Sequence, residues 1–411
     1  MNLLYNITIQ LASVVLKLLS LFNHKIKLGV DGRALTFNKL DQFLNKGDKT
    51  LWFHCASLGE YEQGLPIFTE LRKDYPNHKI VLSFFSPSGY EIRKKAPFAD
   101  LVVYLPLDTK NNAKRFINLV NPELTVFVKY EIWPNSLNEI KNRELRAILI
   151  SAVFRKDQSF FKWYGSQTKK ALFAFEHIFT QNETSKKLLE SINYKNVTIS
   201  GDTRFDRVSN QLNTDNNLDF IKAFKDNKLC IVIGSSWPED ETLIIEFINN
   251  YLGIPIKFII APHNIKSKQI ENIQTNLKKP AILFTQKEKK DLSQYDVFIL
   301  DTIGLLSKAY SYADIAYVGG AMGNTGLHNI LEPAVFGVPI IIGKNYQKFP
   351  EAFDMIKNKG VKSVSNITEL GTELNSLIND QESRLTTGNQ NADFIKKNKG
   401  AVIQIMQYLR K

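Results

Sequence analysis

From residue 50 onward, short β-branched and apolar runs alternate with stretches whose apolar positions recur at helical spacing, the mark of successive parallel βαβ units. The runs predict strands over Thr50–His54, Lys79–Phe84, Leu101–Tyr104, Leu124–Val128, Arg146–Ile150 and His177–Thr180. Helices over Tyr61–Arg72 and Asn111–Leu119 fit between them. A polar stretch rich in Asn and Asp around Asn210–Asn217 breaks the pattern, which restarts with Leu229–Ile233, Ile256–Ile260, Ala281–Phe284, Val297–Leu300, Ile315–Val318 and Pro339–Ile342. The economical reading is an α/β chain of two Rossmann-like, doubly wound domains facing a central cleft. Their expected bounds are 25–205 and 229–411, with a linker over 206–228, and packing of the last helix back on the first domain stays open.

Residues 3–22 are apolar apart from scattered polar positions and one charge, Lys17, and are nearly long enough to span a bilayer. The polar positions Asn6, Gln10, Ser13, Lys17, Ser20 and His24 recur at intervals of four, three, four, three and four, which places them on one helical stripe. Leu4, Ile7, Leu11, Val14, Val15, Leu18, Leu19 and Phe22 cover the rest. No Lys or Arg precedes the run and no small-residue cleavage site follows it, which argues against a cleaved signal peptide. Lys25, Lys27 and Arg33 come directly after it. Residues 1–24 therefore read as an amphipathic helix lying on a membrane, with basic residues at anionic headgroups. Packing on the chain's own domain is the alternative, and a full span a lesser one.

At 411 residues, 44% hydrophobic and 23% charged, the chain is neither disordered nor a polytopic membrane protein. Its 53 Lys and Arg against 41 Asp and Glu leave a net charge of +12, which favours an anionic partner. The basic residues are dispersed and no aromatic and basic platform motif is present, so nucleic acid is set aside. Cys55 and Cys230 sit far apart in apolar runs, as buried thiols of a reducing compartment do.

In open parallel sheets ligands bind beyond the carboxyl ends of the strands. The segments there are Ala56-Ser57-Leu58-Gly59-Glu60, Ser86-Pro87-Ser88-Gly89, Lys129 to Asn135, Gly234-Ser235-Ser236-Trp237, Ala261-Pro262-His263-Asn264 and Gly319 to Asn329. The last is the most informative. Gly319, Gly320, Gly323 and Gly326 let backbone approach a ligand, and a helix expected over His328–Phe336 would offer free N–H groups to a phosphate. Glu332 shares a face with His328 and Asn329 and could accept hydrogen bonds from ribose hydroxyls. No G-x-G-x-x-G follows the first strand of either half, and no Asp-x-Asp pair exists to hold a metal-bound diphosphate. The expectation is nucleotide binding late in the second domain by a transferase without metal or cofactor.

On several of these segments the chain resembles the 3-deoxy-D-manno-octulosonic acid (Kdo) transferases, which glycosylate the lipid A precursor. The resemblance covers about residues 25–360 and rests on Trp52 to Glu60, Ser86 to Glu91, Tyr104 to Asp108, Glu131-Ile132-Trp133-Pro134-Asn135 and Gly319-Gly320 through His328 to Ala334. It implies a GT-B fold, a CMP-Kdo donor, a lipid A precursor acceptor, inversion at the anomeric carbon, and a place on the cytoplasmic face of a Gram-negative inner membrane. It also implies a catalytic carboxylate just after the first helix, where the family carries Glu and this chain has Asp31. Aspartate is about one methylene shorter and can still serve as the base. The segment Ala261-Pro262-His263 lacks the basic residue often found there, leaving a phosphate contact to Lys344 or Arg204, and Lys129 stands in a segment that is commonly acidic.

With that chemistry, Asp31 takes the acceptor proton, and Ser235, Ser236 and the backbone from Gly326 to Asn329 meet the leaving phosphate, with Gly320 in the loop and His263 as a cationic or hydrogen-bonding aid. Asn329 and Glu332 hold the ribose. The loop Ser57 to Gly59 at a helix start suits the Kdo carboxylate, and Ser86 is grouped with it. Arg155 and Lys162 are candidates for acceptor phosphates or donor, while Glu60 and Glu131 are as readily caps or loop anchors as catalytic groups. Rival readings are another GT-B nucleotide-sugar transferase, a UDP-sugar 2-epimerase, or an inactive membrane-bound nucleotide sensor.

Overall fold

The alternation written into the strands decides the architecture. In β1 (Thr50–Cys55), Leu51, Phe53 and Cys55 enter one apolar cluster with Phe68, Leu82 and Val126, while Trp52 enters another with Val81, Phe116, Phe127 and Leu149. Both faces are thus apolar and both are covered, which is the condition for a parallel sheet. The computed structural model describes residues 2–411, so Met1, the first residue of the expected membrane helix, lies outside them. Its chain divides into two units, one reaching to Arg207 and including Lys399–Lys411, the other Val208–Asn398.

The first unit adds β2 (Lys79–Phe84), β3 (Leu101–Tyr104), β4 (Leu124–Val128), β5 (Arg146–Ala152), β6 (His177–Thr180) and β7 (Val197–Ile199), in the sheet order β3-β2-β1-β4-β5-β6-β7. The second contains β8 (Leu229–Ser236), β9 (Ile256–Pro262), β10 (Ala281–Leu283), β11 (Val297–Ile299), β12 (Ile315–Val318), β13 (Ile340–Gly343) and β14 (Val361–Val364), in the order β10-β11-β9-β8-β12-β13-β14. Every pairing is parallel. The winding reverses between β1 and β4 and again between β8 and β12, and at such switch points the diverging loops open a crevice.

The stretch read as a linker is structured. Helix Asp219–Lys225 buries Ile221 and Phe224, the latter against Phe298 of β11, because apolar residues at i and i+3 outweigh the Asn-rich flank. The last helix, Ala401–Leu409, belongs to the first unit, where Ile405, Met406 and Leu409 join the cluster of Phe53 and Phe68. Asp206 accepts the N–H groups of Gly400 and Ala401 at its start.

The N-terminal run forms helix α1 (Asn2–Leu19), followed by α2 (His24–Ala34). The Tyr5 hydroxyl donates to Asp108 and the Asn6 side chain accepts from Asn135, while Ile7, Leu11, Val14, Val15, Leu18 and Leu19 face outward. Its polar positions therefore serve partly to bind the domain and its apolar face is the exposed one. No helix among the described residues is long and apolar enough to cross a membrane.

Candidate active site

At the β1/β4 switch point the chain leaves β1 through Ala56 and Ser57 for helix Leu58–Asp74, and the Glu60 carboxylate folds back to accept both of their N–H groups. An acid three residues after the N-cap does this because first-turn amides lack intrahelical partners. The loop that suits an anion on sequence grounds thus already carries one, and Ser57 N–H is engaged. The chain leaves β4 through Lys129 at φ +70°, a left-handed conformation that costs a side-chain-bearing residue about 1–3 kcal/mol and is concentrated at functional sites. Burial first, and then the Glu131 charge, push the Glu60 carboxyl up to about 7, against the pull of the Ala56 and Ser57 amides and the Lys129 ammonium.

Glu131 Oε2 accepts from Trp133 Nε1 at 3.0 Å, and the same N–H lies 3.1 Å from His54 Nε2. An indole N–H only donates, so His54 presents a lone pair there and carries its proton on Nδ1, 2.9 Å from Ser83 Oγ. Trp52 donates to that same Oγ at 2.7 Å. His54 and Ser83 are fully buried, and this chain fixes Glu131 from within the sheet.

Helix α2 ends on the same sheet edge. Arg33 donates to the carbonyls of Phe85 and Leu105, the residues just beyond β2 and β3, and to Gly29 O, with its guanidinium 4.4 Å from the Phe85 ring centre. Burial lowers its pKa. Arg33 is therefore an internal clamp, not the headgroup contact its place after the apolar run suggests. Two residues earlier, Asp31 is exposed and makes no side-chain hydrogen bond or ion pair with any described residue. Asp108 is the reverse case, since its buried carboxylate accepts from Tyr5, Asn135 N, Ser136 N and Ser136 Oγ.

Of the remaining residues expected here, Ser86 caps helix Pro87–Arg93 through the Ser88 N–H. Arg204 is bound by both Nε and Nη2 to Asp202 at 2.8 Å, so its guanidinium is not held open for phosphate. Arg155 and Lys162 are exposed, Arg155 lying 5.8 Å from the Tyr130 ring centre.

The β8/β12 switch point is built from backbone, stacked rings and the carboxylates of Asp240 and Glu332. Ser235, in β8, is left-handed at φ +54° and opens a bulge before Ser236. Ser236 is buried and donates to Glu241 at 2.9 Å, so its hydroxyl serves the fold and not a ligand phosphate. Buried Asp240, in the first turn of helix Pro238–Asn250, accepts from Tyr317 OH at 2.8 Å, Gly320 N at 2.8 Å and Trp237 N at 2.9 Å. Burial raises its pKa even so. It ties β12, the glycine loop and the β8 exit to one carboxylate. Gly320 stands at φ +94°, where a Cβ would come within 2.1 Å of Gly326 O.

Two of the amides expected to cradle phosphate, Gly326 N and His328 N, are instead bonded to Gly320 O and Gly319 O. The helix expected over His328–Phe336 is one turn, Leu331–Ala334, because Pro333 lacks a donor and Gly337 turns left-handed behind it. It provides no helix terminus for phosphate. Asn329 donates to Glu332 Oε1 at 3.1 Å and Ser307 to Oε2 at 2.9 Å, which holds Glu332 in place with lone pairs to spare. His263 stacks on Trp237 at 4.8 Å and on His328 at 4.3 Å, and Trp237 Nε1 donates to His328 Nε2 at 2.9 Å. Burial lowers the pKa of both, with His328 brought down to about 4 by burial and then by His263. His263 is thus packed as a ring between Trp237 and His328.

Sequence reasoning assigned no role to Asp240, Tyr317, Trp237, His54 or Asp108. A signal for the first existed: Pro238-Glu239-Asp240 after a strand end is the acidic first turn of a capped helix. Among the described residues no group of three or more His, Cys, Asp or Glu is arranged to hold a metal ion.

Two parallel, doubly wound sheets with ligand-type loops at their switch points define the GT-B architecture. The profile of a Kdo transferase family (3-deoxy-D-manno-octulosonic-acid transferase) matches residues 32–207. A 3-deoxy-D-manno-octulosonic acid transferase of Haemophilus influenzae is 29% identical over 380 residues, 88% of this chain and 86% of that one. The enzyme of that name from Aquifex aeolicus is 30% identical over 339 residues, 80% and 86% of the two chains. The chain belongs to the Kdo transferase family. The UDP-GlcNAc 2-epimerase of Neisseria meningitidis, solved with UDP-GlcNAc, superposes at a TM-score of 0.60 with 16% identity over 88% of this chain and all of that one, a likeness of fold alone.

Proposed function

We propose that this Kdo transferase takes Kdo from CMP-Kdo and places it on a hydroxyl of a lipid A precursor with inversion at the anomeric carbon. The acceptor oxygen bonds to the anomeric carbon as the bond to the CMP phosphate oxygen breaks, CMP leaves with the bonding pair, and Asp31 takes the hydroxyl proton. The observation that supports Asp31 is its freedom. On the first sheet's carboxyl edge Glu60, Glu131 and Asp108 are held by backbone or buried donors, whereas Asp31 is exposed with its lone pairs unengaged. In this reading the nucleotide binds at β8/β12, its ribose on Glu332 and Asn329, and Arg155 meets acceptor phosphate.

The exposed apolar face of α1 supports a place on an anionic inner-membrane surface, with Lys25 and Lys27 at the headgroups. The test is transfer from CMP-Kdo generated in situ to a tetra-acylated, bis-phosphorylated disaccharide lipid. Asp31→Ala is expected to lose roughly 10²–10⁴-fold in kcat, with Asp31→Glu retaining part of the activity and CMP affinity unchanged in both. Full activity in Asp31→Ala removes the base assignment.

A further inference from the structure

The segment that leaves β5 presents two aromatic rings to solvent. Phe154, Phe160 and Phe161 pack edge to face at 5.3–5.8 Å and anchor it in the apolar cluster of Trp52 and Phe127. The chain then turns sharply, with Lys162 N bonded to Ser159 O and Gly165 N to Lys162 O. Gly165 lies so close to Ser159 that a Cβ would fall 1.6 Å from its carbonyl oxygen, so the turn closes only with glycine there. This built loop displays Trp163 at 92% exposure beside Tyr164 at 57%. Leaving an indole in water forgoes roughly 2 kcal/mol of burial, and here it stands with a second exposed ring in one basic loop.

The charges around the two rings say what kind of partner. Residues 155–170 carry Arg155, Lys156, Lys162, Lys169 and Lys170 against a single acid, Asp157. Arg155, Lys156, Lys162 and Lys170 are exposed. Trp and Tyr flanked by Lys is the composition of a bilayer interface, where amphipathic rings sit at headgroup level and cations meet lipid phosphates. The loop is linked to α1 through helix Pro134–Asn142. Helix Ser166–Leu172, which follows Tyr164, packs on helix Pro134–Asn142, and Asn135 at the start of the latter holds Asn6 of α1. We propose that Lys162–Tyr164 is a second membrane contact, seating Trp163 and Tyr164 in the headgroup layer of an anionic bilayer. This rests on the membrane reading of α1 and adds to it a fixed point on the domain body.

The test uses the full chain with vesicles of phosphatidylethanolamine and phosphatidylglycerol, with and without brominated acyl chains, and phosphatidylcholine vesicles as the neutral arm. Trp52 is fully buried, and Trp133 and Trp237 are partly covered and hydrogen-bonded inside the fold, so the emission lost in Trp163→Phe reports the loop. The Trp163 component is expected to shift blue and to be quenched by brominated lipid in anionic vesicles. Trp163→Ala/Tyr164→Ala is expected to weaken vesicle partition roughly tenfold with transfer to detergent-dispersed acceptor unchanged. If the full chain sediments with vesicles but its Trp163 emission is unmoved and the double variant partitions like the parent, α1 alone holds the membrane and the proposal is wrong. If Leu11→Gln/Val15→Gln/Leu18→Gln partitions like the parent, the α1 reading fails independently. No sedimentation of the parent chain overturns both.

Discussion

At β1/β4 the strand ends present ionisable side chains, Glu60, Glu131 and Lys129, with Asp31 exposed on helix α2, whose Arg33 binds that sheet edge. At β8/β12 the equivalent loops present glycines, the buried carboxylate of Asp240 facing protein donors, Glu332 held by Asn329 and Ser307, and two histidines whose pKa burial lowers. Topology is shared and filling is not. A group that must move a proton has to be a side chain with an adjustable pKa, whereas a nucleotide recognised by shape needs backbone brought close and held rigid. Each switch point also carries a left-handed residue other than glycine, Lys129 and Ser235, so both crevices depend on local strain held by their surroundings.

The largest test of the contrast is Gly320→Ala. The added Cβ meets Gly326 O at 2.1 Å in a left-handed position, and the two penalties together amount to several kcal/mol. CMP affinity by calorimetry is expected to fall about 100-fold or more, with the thermal transition of the first unit unmoved. Unchanged CMP binding would show that the glycine loop is not the cradle. Asp240→Asn comes next. It keeps the shape but places an amide donor where three donors converge, costing about 2–3 kcal/mol. The expected readouts are a lower melting temperature and a rise in CMP Kd of about tenfold; an effect on transfer without one on CMP binding would contradict the account.

How far the sequence carried is visible in particular elements. Lys79–Phe84, Leu101–Tyr104, Leu124–Val128 and Ile315–Val318 were legible to the residue because strands buried on both faces read as continuous apolar runs. The edge strands β7 and β14, Val-Thr-Ile and Val-Lys-Ser-Val, were not, since a three- or four-residue edge with a half-polar face has no distinctive period. Glu332 and Asp31 could be picked out from motif context. Asp240 could not be separated from an ordinary helix cap, because what distinguishes it is Tyr317 and Gly320, some 80 residues away, and only folding supplies them. Likewise, no pattern tells whether a serine such as Ser236 faces a ligand or a buried glutamate.

At β1/β4 the expected effect is a pH dependence. The folded-state pKa of Glu60 is raised to about 7 by burial, so between the ordinary carboxyl range and that value the native state holds more protons than the unfolded one. Stability contributed by the protonated form is complete below about pH 4.5 and is lost as pH rises through about 7. The melting temperature of the parent is therefore expected to decline between pH 5 and 8 more steeply than that of Glu60→Gln, the difference levelling off above the folded pKa. Parallel curves would show that Glu60 does not titrate in this window.

The smallest effect concerns how α1 meets the first sheet edge. Tyr5 gives Asp108 one of four hydrogen bonds, and the other three, from Asn135 and Ser136, are enough to keep that carboxylate paired when the phenol is lost. Tyr5→Phe should thus cost about 1 kcal/mol or less, too little to move the global melting temperature. The cost should fall on α1, because Tyr5 and Asn6 are among its polar ties to the loops beyond β3 and β4. Hydrogen exchange is the measurement that separates the cases: amides of residues 5–19 should exchange up to about fivefold faster in Tyr5→Phe, while those of β1 and β4 stay as they were. Faster exchange spreading to helix Pro134–Asn142 would mean that Tyr5 is part of the support of Asp108, and the first edge would then depend on a helix from outside the sheet.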